Sequence, residues 1–136
     1  MVNRMNINRM VLRYLISKLK ERGTFYGKLQ VMKLMFLIDH FDPKKRRIVK
    51  KSLLNNKYYI YAFGPFSFEV SEEYDRLKDG KPKIDERLRE KVDFIIEKFG
   101  NIDQWVLSEK CMKMLGITVK NKGRFLGFRV DEIVKN

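Results

Sequence analysis

The chain has 136 residues, of which 44% are hydrophobic and 35% charged, so it suits one folded core rather than two large domains. Lysine and arginine total 30 against 17 acidic residues, and the net charge of +13 favours an acidic partner. No apolar run is long enough for a membrane helix, residues 1–9 lack a signal-peptide core, and one cysteine excludes an intrachain disulfide. We therefore expect a single domain over residues 1–136, a cytoplasmic location and no membrane contact.

The positive charge is unevenly spread along the chain. Residues 1–57 carry 15 basic and 3 acidic side chains, a net of +12, whereas residues 58–109 carry 8 and 12, a net of −4. Residues 110–136 carry 7 and 2, a net of +5. A regional excess of one sign attracts polyanions, so we expect nucleic acid as the partner.

The first two predicted elements are helices. Apolar residues recur at helical spacing over residues 8–22, with Asn8 as the expected N-cap and Gly23 as the end. Residues 28–41 are apolar around most of the helix circumference, which predicts a buried central helix ending before Pro43.

The densest charge in the chain follows, in residues 43–51. Residues 47–54 and 57–63 are predicted to pair as a β-hairpin across Asn55 and Asn56, because asparagine tolerates the positive φ of tight turns. Such a hairpin is similar to the wing of a winged-helix protein, whose cations follow phosphates. The alternative is a solvated loop, or edge-strand lysines that prevent aggregation.

Cations in three regions are the residues expected to contact nucleic acid. One group flanks the connection between the first two helices, the second is the block after Pro43, and the third lies in the tail. They are Arg22 and Lys28; Lys44, Lys45, Arg46, Arg47, Lys50 and Lys51; and Lys120, Lys122 and Arg124.

The motif Gly64-Pro65-Phe66-Ser67 predicts a sharp turn with a structural role. It leads into a third helix over residues 68–78, capped by Ser67. Helices over residues 85–99 and 104–115 follow, the second of them capped by Asp103.

Two interpretations of the tail remain open. Residues 117–120 and 124–130 fit the arms of a hairpin. Residues 119–126 also fit a short helix followed by a turn at residues 131–134, and we favour the helix.

A cluster of aromatic residues near the basic block also has two interpretations. Its members are Tyr58, Tyr59, Tyr61, Phe63, Phe66 and Phe68. Single-strand binding proteins stack bases on such rings. Alternation along a strand would instead place about half of these side chains in the core, and we favour core packing.

Few residues suit catalysis. His40 is the only histidine and Cys111 the only cysteine, which excludes sites that need several imidazoles or thiolates. A Cys111–His40 nucleophilic pair is conceivable, but a small buried thiol is the ordinary explanation. Carboxylate pairs such as Glu72-Glu73 suit helix N-termini, and no spacing typical of a metal-dependent nuclease accompanies them. We expect no enzyme activity, no cofactor and no metal.

Two segments together resemble a known family. Residues 28–38 (KLQVMKLMFLI) resemble the "KLQKLxFL" helix of the YwgA-like and Panacea (SocA-like antitoxin) proteins, and residues 61–67 (YAFGPFS) resemble their "YxYGPFSxEL" turn. Residues 126–133 (LGFRVDEI) are similar to the end of YwgA-like chains. The resemblance implies a mostly helical, winged-helix-like domain. For the Panacea branch it implies an antitoxin that acts through protein contact or transcription control.

We therefore expect a mainly α (α+β) fold with about five helices and a small β-hairpin, similar to winged-helix proteins. The leading functional hypothesis is a non-enzymatic, regulatory domain that binds nucleic acid, DNA in the first instance. The alternative is a protein-interaction module, such as an antitoxin or adaptor, with an acidic protein partner. The oligomeric state stays open, with a homodimer among the alternatives.

Overall fold

The computed structural model describes residues 4–24 and 26–136, and the side chains of this part from residue 7 onward. The start of the segment compared above with a signal peptide therefore lies outside the described residues. The elements, in chain order, are α1 (Arg4–Glu21), α2 (Lys28–His40), β1 (Phe41–Asp42), β2 (Arg47–Ile48), β3 (Tyr59–Tyr61), β4 (Gly64–Phe66), α3 (Phe68–Asp75), α4 (Glu86–Phe99), α5 (Gln104–Met114), α6 (Lys122–Phe125) and α7 (Val130–Ile133).

Helix α2 is the centre of the fold, as its all-round apolar pattern predicts. Every residue from Gln30 to His40 is buried, and the helix packs against α3, α4, α5 and β4. Helix α1 packs against α3 and α4. Because α2 is buried on all sides, its polar residues Lys33, Asp39 and His40 need partners inside the protein.

Side-chain caps fix the starts of α3 and α5 as predicted. The Ser67 hydroxyl accepts a hydrogen bond from the Val70 amide at 3.3 Å. The Asp103 carboxylate accepts from the Trp105 amide at 3.0 Å and from the Val106 amide at 3.3 Å. Helix α1 begins earlier than predicted, so Asn8 lies within it instead of capping it.

The predicted hairpin between residues 47–54 and 57–63 is wrong. Instead, β1 pairs with β2 and β3 pairs with β4, so the structure has two separate two-stranded hairpins. Residues 52–56 fold around the Asp39 carboxylate, which accepts hydrogen bonds from the Ser52 hydroxyl and the Leu54 amide, both at 2.7 Å. These long-range contacts replace the expected strand ladder. Asn55 does adopt a positive φ of 61°, but in this loop.

The motif at residues 64–67 forms a strand and a helix cap, not the predicted sharp turn. Gly64, Pro65 and Phe66 make up β4, and the chain reverses just before them at residues 62–63. Gly64 has φ of +104°, and a Cβ added there would lie 3.1 Å from Lys33 Cε. The motif's structural role therefore depends on the close approach of Gly64 to the buried Lys33.

The tail is helical rather than a hairpin. Helix α6 is shorter than the predicted 119–126, and the expected turn near residue 131 is the short helix α7. Between them the chain runs beside β3, where the Gly127 amide donates to the Ile60 carbonyl at 2.7 Å. Tyr59 and Arg129 form an isolated antiparallel bridge.

The fold is mainly α with a small β component, which confirms the predicted α+β class. Residues from α1, α2, α4, α5 and the hairpins share one hydrophobic core cluster, and Val130 of α7 belongs to it too. Among the helices of the described residues, none has the length and apolar character needed to cross a bilayer.

Candidate nucleic-acid interface

The basic turn, residues 43–46, connects β1 to β2 and is held by Asp42. The Asp42 carboxylate accepts from the amides of Lys44 at 2.9 Å and Lys45 at 3.2 Å, and the Arg46 amide donates to the Asp42 carbonyl at 2.7 Å. The Lys45 amide contributes most to lowering the pKa of Asp42. Arg46 has a positive φ of 55°, a conformation rare outside glycine and asparagine. The turn is thus an ordered structure. Lys44, Lys45 and Arg46 are exposed on it, and Arg47 is exposed at the start of β2.

Arg46 of the basic turn lines a groove that we call the basic groove. Its cavity volume is about 490 Å³. Four cations line it, and the remaining lining residues are apolar; the full set is Phe41, Phe99, Ile102 and Met114 with Arg46, Lys98, Lys110 and Lys113. Phe41 and Phe99 pack edge to face with ring centroids 5.4 Å apart. Phe41 and Phe99 are nearly fully buried, whereas all four cations are exposed, so the groove suits an anionic ligand.

The four groove cations have no acidic partner. Within residues 4–24 and 26–136, none of Arg46, Lys98 and Lys110 forms an ion pair, and neither does Lys113. The groove lining contains no carboxylate either. Their charge is therefore available to an external anion. A ligand that excludes water from the groove would strengthen its attraction to these cations.

Sequence reasoning placed only Arg46 of these four at the interface. Lys98 lies in the last turn of α4, and Lys110 and Lys113 are exposed on α5. The spacing of Lys110 and Lys113 already puts both on one side of the predicted helix. Their proximity to the basic turn comes from tertiary packing, since α5 and α4 both pack against α2, which leads directly into β1.

The other predicted cations lie apart from the basic groove. Arg22 pairs with Glu97 at 3.0 Å, and Lys28 pairs with Asp75 at 2.9 Å. Lys50 and Lys51 are exposed beyond β2 and line a smaller pocket beside His40. Lys122 and Arg124 lie in α6, and Lys120 lies just before it. None of these tail cations forms an ion pair among the described residues.

The aromatic cluster divides between buried and exposed rings. Tyr58 is fully buried and Tyr59 and Phe66 are half-buried, but Phe63 is 60% exposed, Phe68 56% and Tyr61 41%. This agrees with the expectation that about half of the six rings pack in the core. Phe63 meets Trp105 of α5, which is 52% exposed, with ring centroids 5.4 Å apart and an interplanar angle of 72°.

Two polar groups in α2 form buried networks that sequence reasoning missed. Asp39 accepts hydrogen bonds from Ser52, Leu54, Asn56 and Tyr58 at 2.7 to 2.9 Å. With four donors around a buried carboxylate, this network is a structural feature that fixes the loop before β3. The sequence signal was a single carboxylate, Asp39, within a helix predicted to be buried.

Lys33 lies against β4 and close to Cys111. Its ammonium donates to the Pro65 carbonyl at 2.9 Å, and burial lowers its pKa to about 8. Burial raises the pKa of the Cys111 thiol to about 12. His40 instead donates from Nδ1 to the Val49 carbonyl at 2.9 Å. No contact of the described residues joins Cys111 to His40 in a nucleophilic pair.

Within the described ranges, no three histidine, cysteine, aspartate or glutamate side chains are grouped as metal ligands would be. Comparison with known proteins returned nothing: no family model, no curated protein and no solved structure matches the chain.

Proposed function

We propose that this protein is a regulatory domain that binds nucleic acid through the basic groove and carries out no chemistry on it. One observation carries the proposal: cations from the basic turn, α4 and α5 converge on one groove and have no acidic partner in the described part of the chain. Neutralising such cations with phosphates releases condensed counterions from the nucleic acid, which drives binding.

The charge of the surroundings supports the same assignment. Lys44 and Lys45 are exposed on the same turn as Arg46, and Arg47 is exposed next to it in β2. Their positive potential adds to that of the groove and raises the rate at which a polyanion arrives. Arg22 and Lys28 contribute less, because Glu97 and Asp75 neutralise them.

Binding across a salt series, with fluorescently labelled duplex DNA, single-stranded DNA and RNA, tests the proposal. The test variant is R46Q/K110Q/K113Q, in which all three side chains stay polar. Because glutamine, like arginine, has a Cβ, the substitution at position 46 changes the φ preference of the backbone little. The matched control is R22Q/K28Q, which also removes positive charge but at ion-paired positions.

For duplex DNA, the plot of log affinity against log salt should be less steep in R46Q/K110Q/K113Q than in wild type. We expect its negative slope to shrink by about 0.9 for each removed cation that contacts a phosphate. The control variant should keep nearly the wild-type slope. Equal affinities for wild type and R46Q/K110Q/K113Q at low salt would contradict the proposal. Circular dichroism and the thermal midpoint check that both variants fold.

A protein-interaction module, such as an antitoxin or adaptor, is the second candidate. The observation that favours it is the exposure of Val119, Leu126 and Phe128 in the tail, because large apolar side chains in one exposed segment are typical of protein contacts. Affinity capture with wild-type and L126S/F128S baits tests it. Only wild-type bait should retain an acidic partner, and light scattering separates that partner from a homodimer.

A further inference from the structure

We propose that the basic groove takes a single strand of nucleic acid, with one of its bases stacked on Trp105, which packs against Phe63. This inference rests on the proposed function and names the form of nucleic acid that the same site prefers. It is carried by the continuity between the groove and an exposed pair of aromatic rings, which we call the aromatic platform and which consists of Phe63 and Trp105.

The exposed side of α5 connects the two features. Trp105, Val106, Lys110 and Lys113 are all exposed, and the last two line the basic groove. At about 1.5 Å of rise per residue, Trp105 lies about 12 Å along the helix from Lys113. A strand held by Lys110 and Lys113 is therefore within reach of the aromatic platform.

The aromatic platform has the properties that stacking needs. Each of its rings keeps more than half of its surface exposed, although the two pack against each other at 5.4 Å. The edge-to-face contact with Phe63 restricts the indole, and Trp105 is still 52% exposed. Stacking on a held ring loses little side-chain entropy, and every base has a face to offer.

The platform beside the groove also suits a single strand better than a duplex. Phe41 and Phe99 of the groove lining are only 3% and 4% exposed, so the rings that a base can reach are those of the platform. The bases of a duplex are paired inside the helix and present only their edges, so a duplex would place phosphates on the cations and leave the platform unused. An unpaired strand brings phosphates and base faces to the same surface.

One acidic residue lies on this path and provides an internal test. Glu109 is exposed on α5, one turn from Trp105 and one turn from Lys113. Its charge opposes a passing phosphate backbone, so removing it should strengthen binding. A protein partner that docks on the aromatic platform through apolar contacts has no such requirement.

The first experiment follows Trp105 fluorescence, which has one source because Trp105 is the only tryptophan. Oligo(dT) and a mixed-sequence duplex of equal length are titrated into the full chain at low salt. We expect quenching by oligo(dT) and little change with the duplex. The W105A and F63A variants should bind labelled oligo(dT) roughly 5- to 100-fold more weakly and bind the duplex as wild type does. The E109Q variant should bind oligo(dT) more tightly.

The matched control is F128A, which removes an exposed aromatic ring from the tail. It should leave both affinities unchanged. Equal binding of oligo(dT) and duplex, with no effect of W105A, would overturn the single-strand inference and leave the proposed function standing, provided that R46Q/K110Q/K113Q still weakens binding. No binding to either probe at low salt overturns both. A stoichiometric protein complex that W105A abolishes, with oligo(dT) affinity unchanged, also overturns the inference.

Discussion

Tyr58 donates its phenolic hydrogen to Asp39 Oδ2 at 2.7 Å, and this contact joins the central helix to the start of the second hairpin. Both residues are buried, and Asn56 donates to the same oxygen at 2.9 Å. Asn56 in turn exchanges two hydrogen bonds with Asn8 of α1, at 2.6 and 2.9 Å. One carboxylate therefore organises α1, α2 and the loop before β3.

Removing the Tyr58 hydroxyl should destabilise the fold. In Y58F the ring still fits, but the buried Asp39 carboxylate loses one of its four donors. Hydrogen bonds to charged groups contribute about 1.5–3 kcal/mol, so we expect a loss of that size in the free energy of unfolding, measured with urea. The control is Y61F at an exposed tyrosine, which should change it by less than about 0.5 kcal/mol. Equal effects at both positions would show that Asp39 does not need this donor.

Lys33 should make stability depend on pH in the alkaline range. Its folded pKa of about 8 lies below the ordinary value of 10.5, so the unfolded chain binds more protons between these two values. Stability contributed at this position therefore rises with pH across that window. We expect the difference in unfolding free energy between wild type and K33M to shift in favour of wild type by on the order of 2 kcal/mol from pH 7.5 to 10.

Taking the difference between wild type and K33M is essential to that measurement. Burial raises the pKa of Tyr14 and Cys111 to about 12, and these groups lower stability as pH rises above the pKa values of the unfolded chain. Both groups are present in the two proteins, so their contributions cancel. K57M, at an exposed lysine, controls for the loss of one positive charge. A difference that stays constant with pH would mean that the Lys33 amine keeps its ordinary pKa.

The helices could be predicted from the sequence because their signals are local. The apolar circumference of residues 28–41 and the caps Ser67 and Asp103 act within one element, and all agree with the structure. The hairpins could not be predicted in this way. Asp39 binds residues 13 to 19 positions away, and nothing in the local pattern of residues 47–63 shows that a distant carboxylate captures them.

The candidate groove was only partly predictable, because most of it is assembled by contacts between residues far apart in the sequence. The basic turn is visible as a run of charge, but Lys98, Lys110 and Lys113 join it through the packing of two helices on α2. The exposure of Phe63 also depends on tertiary structure. It lies in the β3–β4 turn, so the alternation expected of a strand does not apply to it.

Cys111 should be unreactive in the folded protein. It is completely buried, and with a pKa of about 12 only roughly one thiol in ten thousand is ionised at pH 8. We expect no reaction with DTNB over an hour without denaturant, and one equivalent in urea. The double variant C111S/V119C, with a thiol at a position that is 96% exposed, should react at once and serves as the control. Rapid labelling of wild type would show that α5 opens readily.

Gly64 should tolerate alanine less well than Gly23, which also has a positive φ. At φ of +104° an L residue is strained, and the added Cβ would lie 3.1 Å from the Lys33 side chain, which β4 covers. We expect G64A to lower the free energy of unfolding by about 1–3 kcal/mol, the usual cost of such strain. G23A has φ of +66° and no atom within 4 Å, so it should cost about 1 kcal/mol from backbone conformation alone. G123A has neither problem and is the reference. Urea unfolding of the three variants separates the cost of the positive φ from the cost of the contact with Lys33. Equal losses of unfolding free energy in G64A and G23A would show that the contact with Lys33 costs nothing.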